Sequence, residues 1–174
     1  MHSWKKEHPY SKENNQIIQV QHMQADQLAQ QVVDKMMEHD AFSQWLGIKV
    51  IAVREGYSKL QMILRDEMLN GFGVIHGGVT FSLADSALAF ACNNRNNLSL
   101  ALDVSITFTK SGLPGDVFTA EAKEVHNGRS TGLYLISVTN QHNQSVAVFK
   151  GTCFRTGKEL VVIEPETEPE TGEV

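Results

Sequence analysis

Hydrophobic positions along the chain follow two periods, and the order of those periods predicts the fold. From Asp26 apolar residues recur at helical spacing: Leu28, Val32 and Met36, with Ala29, Val33 and Met37 beside them. That is one stripe on an amphipathic helix, and its methionines suit core packing. Phe42, Trp45 and Leu46 follow, then Gly47. The period then drops to two. "IKVIAVRE" and "SKLQMILR" flank Glu55-Gly56 and predict a hairpin. Later, "SLALDVSITF" places Leu100, Leu102, Val104, Ile106 and Phe108 on one face and Ala101, Asp103, Ser105 and Thr107 on the other. "SGLPGD" reads as a turn, and the runs "VFTAEAKEV", "TGLYLISVT" and "VAVFKGTCF" follow, separated by "HNGRS" and "NQHNQS". Strands this close together, with no crossover helices, pair antiparallel.

Between the hairpin and the later strands lies "NGFGVIHGGVTFSLADSALAF", residues 70 to 90. From about Gly78 to Asn93 it is apolar nearly all round, as a helix enclosed by a sheet or a partner would be. The expected architecture is therefore α+β, an antiparallel sheet wrapped around a long central helix. Residues 1–22 read as a polar, loosely ordered extension, 23–158 as the domain, and 159–174 as an acidic tail.

Composition narrows the function classes. At 174 residues with 41% hydrophobic content, the chain is long enough for one buried core. No run of about 18 apolar residues predicts a membrane span, and the polar start lacks the apolar core of a secretory signal. Cys92 and Cys153 form no C-x-x-C pair, so no zinc site or disulfide framework is expected. Buried, reduced thiols suit a cytoplasmic protein. The net charge of −5 is concentrated in the tail, where residues 159–174 hold six glutamates and no Lys or Arg. Setting those six aside leaves 14 of the 20 acidic residues against 15 basic ones. A near-neutral body leaves room for an anionic ligand, yet lacks the basic excess expected of a nucleic-acid binder.

The chemistry concentrates in the central segment. The first N–H groups of a helix lack intrahelical partners and carry partial positive charge. Gly77 and Gly78 leave that end open, so a carbonyl oxygen can reach the Gly77 N–H and be polarised there. The same "HGG" also describes a plain tight turn. Asp85 is an isolated acid among alanines and leucines, costly to bury unless paired or near water. It reads either as a base or nucleophile at a cleft wall, or as a side chain bonded back to the backbone. Eight residues separate Gly77 from Asp85, roughly 12 Å along one helix. Both must come within about 3 Å of one reacting group, so a catalytic reading requires two chains. Antiparallel copies about a two-fold axis would supply two equal sites.

The spacing Asn70-x5-His76-Gly77-Gly78-x3-Ser82-Leu83-Ala84-Asp85 resembles the signature of the hotdog-fold thioesterases, in particular the PaaI-like group of phenylacetic acid degradation. The likeness continues through "SALAFACNN", "SITFTKSG" and "HNGRSTGLY", over roughly residues 42 to 155. It implies an acyl-CoA thioesterase in which Asp85 acts as general base or nucleophile. It implies that the Gly77 N–H polarises the thioester carbonyl, and that His76 and Asn70 support that loop and the acyl end of the site. It also implies that Gly78 lies beside the substrate. It implies further that Asp85 and Gly77 come from opposite subunits, that homodimers pair into a homotetramer, and that no metal or redox cofactor takes part. Some relatives hold the attacking water with a serine on the strand after the helix. Ala101 stands near that position here, and Ser86 is the expected substitute.

The coenzyme phosphates need cations or N–H groups, and the turn with Arg129, Ser130 and Thr131 offers them, with Lys110 a weaker candidate; a solvated turn arginine is the simpler reading of Arg129. Phenylacetyl or hydroxyphenylacetyl thioesters are the substrates the resemblance implies, although medium-chain acyl groups fit the same pattern. The alternative is a non-catalytic acyl-CoA binding or sensor domain, which would not need the acid. An enoyl hydratase ranks last, because no His–Asp or His–Glu pair stands on the helix. A serine hydrolase is disfavoured because G-x-S-x-G is absent.

Overall fold

The computed structural model describes residues 10–160 and 162, with side chains from residue 17 onward. The first nine residues and nearly all of the acidic tail lie outside that range, so the expectations for them are not addressed. Helix α1 spans Tyr10–His39 and α2 spans Ala41–Leu46. Strands β1 (Lys49–Arg54) and β2 (Tyr57–Ile63) form the hairpin expected about Glu55-Gly56. A single 3-10 turn at Asp66–Met68 leads into α3, Gly77–Asn93. Strands β3 (Ser99–Phe108), β4 (Val117–Asn127), β5 (Thr131–Thr139) and β6 (Ser145–Arg155) follow. All six pair antiparallel in the order β1-β2-β4-β5-β6-β3, which leaves β1 and β3 as edges.

The sheet curls around α3. Leu83, Ala84, Ala87, Leu88, Phe90 and Ala91 are buried on the helix, against Leu60, Met62, Phe118, Tyr134, Ile136 and Phe149 from the strands. Phe81 meets Phe149 edge to face at 5.3 Å. Close approach has a steric condition: a Cβ on Gly151 of β6 would stand 2.4 Å from Leu88 Cδ2. The two cysteines are buried and free. At the far end of α3, Asn94 is fully buried and pins the hairpin. Its amide donates to the carbonyls of Arg54 (2.7 Å) and Tyr57 (3.1 Å), and its oxygen accepts from the Gly56 N–H.

Two local expectations change. Helix α1 begins at Tyr10, 16 residues before Asp26, so residues 10–22 are helical and not loosely ordered. No glycine or proline interrupts residues 10–46, and the stretch is rich in Gln, with Ala and Met beside it, all of which favour helix. Its first turns leave Ile17, Ile18, Val20 and Met23 exposed, while Ala29, Val32 and Val33 are buried. In β3 the clean alternation is broken by a bulge at Leu102, between the pairs Ala101↔Cys153 and Asp103↔Thr152. The extra residue moves Leu100 to the outer face, opposite Phe154, while Val104 and Ile106 stay inward, opposite Gly151 and Phe149.

Candidate active site

The entrance of α3 is built by its cap. His76 holds an extended backbone (φ −62°, ψ 132°) and its Nδ1 accepts the Gly78 N–H at 2.9 Å. Its carbonyl accepts the Val79 N–H at 2.9 Å. The Gly77 N–H has no acceptor among the described residues. His76 therefore satisfies one orphan donor of the helix end and leaves the Gly77 donor free at its positive pole. Both glycines stand close to side chains, Gly78 the more tightly. A Cβ on Gly78 would stand 2.9 Å from His76 Nδ1, and one on Gly77 would stand 3.2 Å from Phe108 Cζ.

Asn70 shapes the approach to this end. Its Oδ1 accepts the Phe72 N–H at 2.8 Å and the Val74 N–H at 3.4 Å, and its own N–H donates to the Val74 carbonyl at 2.8 Å. The Ile75 N–H donates to the Gly112 carbonyl and the His76 N–H to the Met68 carbonyl, tying the loop on both sides. A cleft of about 320 Å³ opens here, lined by Ile75, Gly77, Thr80 and Phe108 together with residues 109–112. Lys110 lies in that lining and donates to Gln144 Oε1.

Asp85 lies in the middle of α3, half-buried, on the outward stripe Gly78, Ser82, Asp85, Ala89. Its carboxylate has no hydrogen-bond or ion-pair partner among the described residues, and burial pushes its pKa up. Of the two readings, the one in which it bonds back to the backbone finds no such bond among the described residues. A desolvated carboxylate beside a helix groove is a stronger base than one in water. Within one chain it stays about two turns from Gly77.

Two other expectations fare differently. Ser86 is buried, and its Oγ lies 2.9 Å from Ser43 Oγ on α2, which in turn donates to Asp40 Oδ2 at 2.6 Å. One residue on a helix is a rotation of about 100°, and that carries Ser86 off the Asp85 stripe into the packing against α2, where Ser43 engages its hydroxyl. Arg129, Ser130 and Thr131 form the β4–β5 turn at the opposite end of α3. The Ser130 carbonyl there accepts the Arg155 N–H, and Arg155 pairs with Ser99 just beyond the helix. One chain does not bring this turn to Gly77. Sequence reasoning missed what holds the turn in place. Glu124 accepts from Arg95 (2.7 and 2.9 Å), Arg155 (3.2 Å) and Tyr134 Oη (2.8 Å), while Arg155 also donates to Asn127 and the Gly128 carbonyl. These residues are scattered in sequence, and only the sheet register gathers them.

No three His, Cys, Asp or Glu side chains among the described residues are grouped to hold a metal ion. No described helix is long and apolar enough to cross a membrane.

Comparison with known proteins identifies the family and the fold. Residues 72–147 match the model of the thioesterase superfamily. The chain is 42% identical to acyl-coenzyme A thioesterase PaaI of Escherichia coli over 122 residues, 70% of this chain and 87% of that one. It is 41% identical to a putative esterase of Archaeoglobus fulgidus over 134 residues, 77% of this chain and 87% of that one. The solved structure of E. coli PaaI, from the phenylacetic acid degradation operon, superposes with a TM-score of 0.76 at 39% identity, covering 78% of this chain and 98% of that one. A hypothetical thioesterase protein of Streptococcus pneumoniae, solved with coenzyme A, superposes with a TM-score of 0.68 at 29% identity, covering 72% and 98%.

Proposed function

Since the chain belongs to the thioesterase superfamily, we propose that it hydrolyses an acyl-CoA or aryl-acyl-CoA thioester to the free acid and coenzyme A, with Asp85 and the Gly77 N–H as the reacting pair. The observation that carries this reading is the pairing, on one helix, of a desolvated carboxylate without a partner and an unengaged N–H at the helix entrance. They are too far apart to act together in one chain, so the site combines Gly77 of one copy with Asp85 of a second. The edge strand β3 supports such an assembly. Among the described residues it pairs with β6 alone, and Leu100 is 58% exposed. Antiparallel α3 helices would set the two reacting groups at one level and create two equal sites per dimer. Pairing of dimers into a homotetramer belongs to the same proposal.

The reaction follows from the charges. The thioester carbonyl oxygen sits on the Gly77 N–H, where negative charge developing on it is stabilised by the helix end. Asp85 takes a proton from water as the water oxygen attacks the carbonyl carbon. The tetrahedral intermediate collapses, the C–S bond breaks, and the proton passes from Asp85 to the departing sulfur. Direct attack by Asp85 gives the same products through an anhydride that water then opens. The turn with Arg129 also finds a place. Asn93 lies eight residues past Asp85, so the turn of the copy supplying Asp85 stands at least about 12 Å beyond the other copy's helix entrance. That is a suitable distance for coenzyme phosphates held by Arg129, Ser130 and Thr131. Phenylacetyl and hydroxyphenylacetyl groups are the proposed acyl groups.

Asp85→Asn tests the reading. Thiol release from acyl-CoA should fall by about 10²–10⁴ while size on gel filtration is unchanged. Near-normal turnover would overturn the mechanism, and stoichiometric retention of uncleaved acyl-CoA by the wild-type protein would favour the sensor alternative.

A further inference from the structure

The short helix α2 carries an aromatic pair that neither the reaction nor the core accounts for. Ser43 and Leu46 are its buried face, and Phe42 and Trp45 remain 54% and 62% exposed. The two rings stack with centroids 6.1 Å apart and planes 23° apart. Together the two rings form an apolar patch whose covering by a ligand would remove area from water, and a ring can meet them in an offset stack.

Three contacts say where this face points. Ser43 Oγ meets Ser86 Oγ at 2.9 Å, so α2 lies against α3 at the residue next to Asp85. On the other flank of α2, Gln44 Nε2 donates to the carbonyls of Met37 (2.7 Å) and Glu38 (3.2 Å) in α1. Phe42 and Trp45 are thus on the flank turned away from α1. Arg65 fixes the end of that flank. Its Nη1 donates to the Leu46 carbonyl at 2.8 Å and its Nη2 to the Trp45 carbonyl at 3.1 Å, with the guanidinium 5.9 Å from the Trp45 ring centre. Arg65 opens the segment that runs through Asn70 to His76. The aromatic pair is therefore bounded by the centre of α3 on one side and by the approach to the α3 entrance on the other.

From this juxtaposition we propose that Phe42 and Trp45 form the wall that recognises the acyl group, favouring a planar aryl-acyl thioester over a straight aliphatic one. The proposal rests on the acyl-CoA hydrolase reading and adds to it the residues that choose the acyl group. A flat ring can lie offset against the pair and bury both faces at once. An alkyl chain gains area there but no matching ring-to-ring geometry.

The test uses the full-length protein with Phe42→Leu/Trp45→Leu, which keeps apolar bulk and removes both planes. With phenylacetyl-CoA, KM should rise about ten-fold with kcat little changed, while hexanoyl-CoA kinetics stay as they were. Trp45→Phe should keep the preference. Equal losses on both substrates, an unchanged preference, or dissociation of the assembly with loss of all turnover would overturn the assignment. The last outcome would give the pair to a subunit contact. Binding of two uncleavable thioethers, phenethyl-CoA and hexyl-CoA, followed by calorimetry, separates this proposal from the hydrolase reading. If the wild type releases no thiol from any thioester, the hydrolase reading fails. A selective ten-fold loss of phenethyl-CoA affinity in the double variant would still support the wall, and unchanged affinity would refute it.

Discussion

The two-chain site can be tested by mixing two inactive proteins, Gly77→Pro and Asp85→Asn. Gly77→Pro removes the N–H with little disturbance to the backbone. Proline is tolerated at the first helical position, and His76 already holds the extended conformation that a residue before proline requires (φ −62°, ψ 132°). A new Cβ meets Phe108 Cζ at 3.2 Å, and that ring is half-exposed and free to give way. Loss of one such donor lowers turnover by about 10²–10³, and loss of the base by about 10²–10⁴. Each variant alone is therefore nearly inactive. When the two are unfolded together and refolded at equal amounts, half of the dimers are mixed. In each mixed dimer one site carries both substitutions, and the other pairs an intact Gly77 with an intact Asp85. The mixture should recover about one quarter of wild-type thiol release, at least ten-fold above either variant. The roughly 12 Å between the two groups on one helix is what makes this sharp, because a site within one chain has no route to recovery. A refolded mixture no more active than its components would refute the shared site.

Two further outcomes follow from titrating groups. Burial pushes the Asp85 carboxyl up, so kcat/KM should fall with acid through a pKa above the usual carboxylate range. A raised folded-state pKa is stabilising in acid and is lost as pH rises through it, so Asp85→Asn should melt no lower than wild type at neutral pH; a clearly lower Tm would mean that Asp85 has a partner in the assembly. Glu124 titrates the other way. Burial pushes it up, but hydrogen bonds from Arg95 and Tyr134 and the charges of Arg95 and Arg155 hold it below the usual range. Its contribution is therefore present above the ordinary glutamate pKa and lost as pH falls through the depressed one. Glu124→Ala leaves two guanidiniums without their shared carboxylate and should cost about 3 kcal/mol in urea unfolding, against less than about 1 if the cluster is only peripheral.

What could be read from the chain and what could not divide along physical lines. The hairpin, the strand order of appearance and the enclosed helix were legible because burial imposes a period on neighbouring residues, and a period is a local property. The bulge at Leu102 was not, since the strand's residues alternate as if it were absent and only the pairing with β6 shows that Leu100 faces outward. Ser86 illustrates the limit at a single residue. Adjacent to Asp85 in sequence, it is about 100° away on the helix, and Ser43, 43 residues earlier, claims its hydroxyl. Asp85 was legible for the opposite reason. An acid in an apolar helix violates the pattern around it, and nothing among the described residues repairs the violation: no base, no cap, no backbone bond. The free Gly77 N–H is a second unfilled requirement on the same helix. Each is a cost for one chain alone, and each is the complement the other lacks. On the proposed shared site, a second copy turned about a two-fold axis would satisfy both with one substrate carbonyl between them, so the two unfilled requirements on α3 are what the proposed partner would complete.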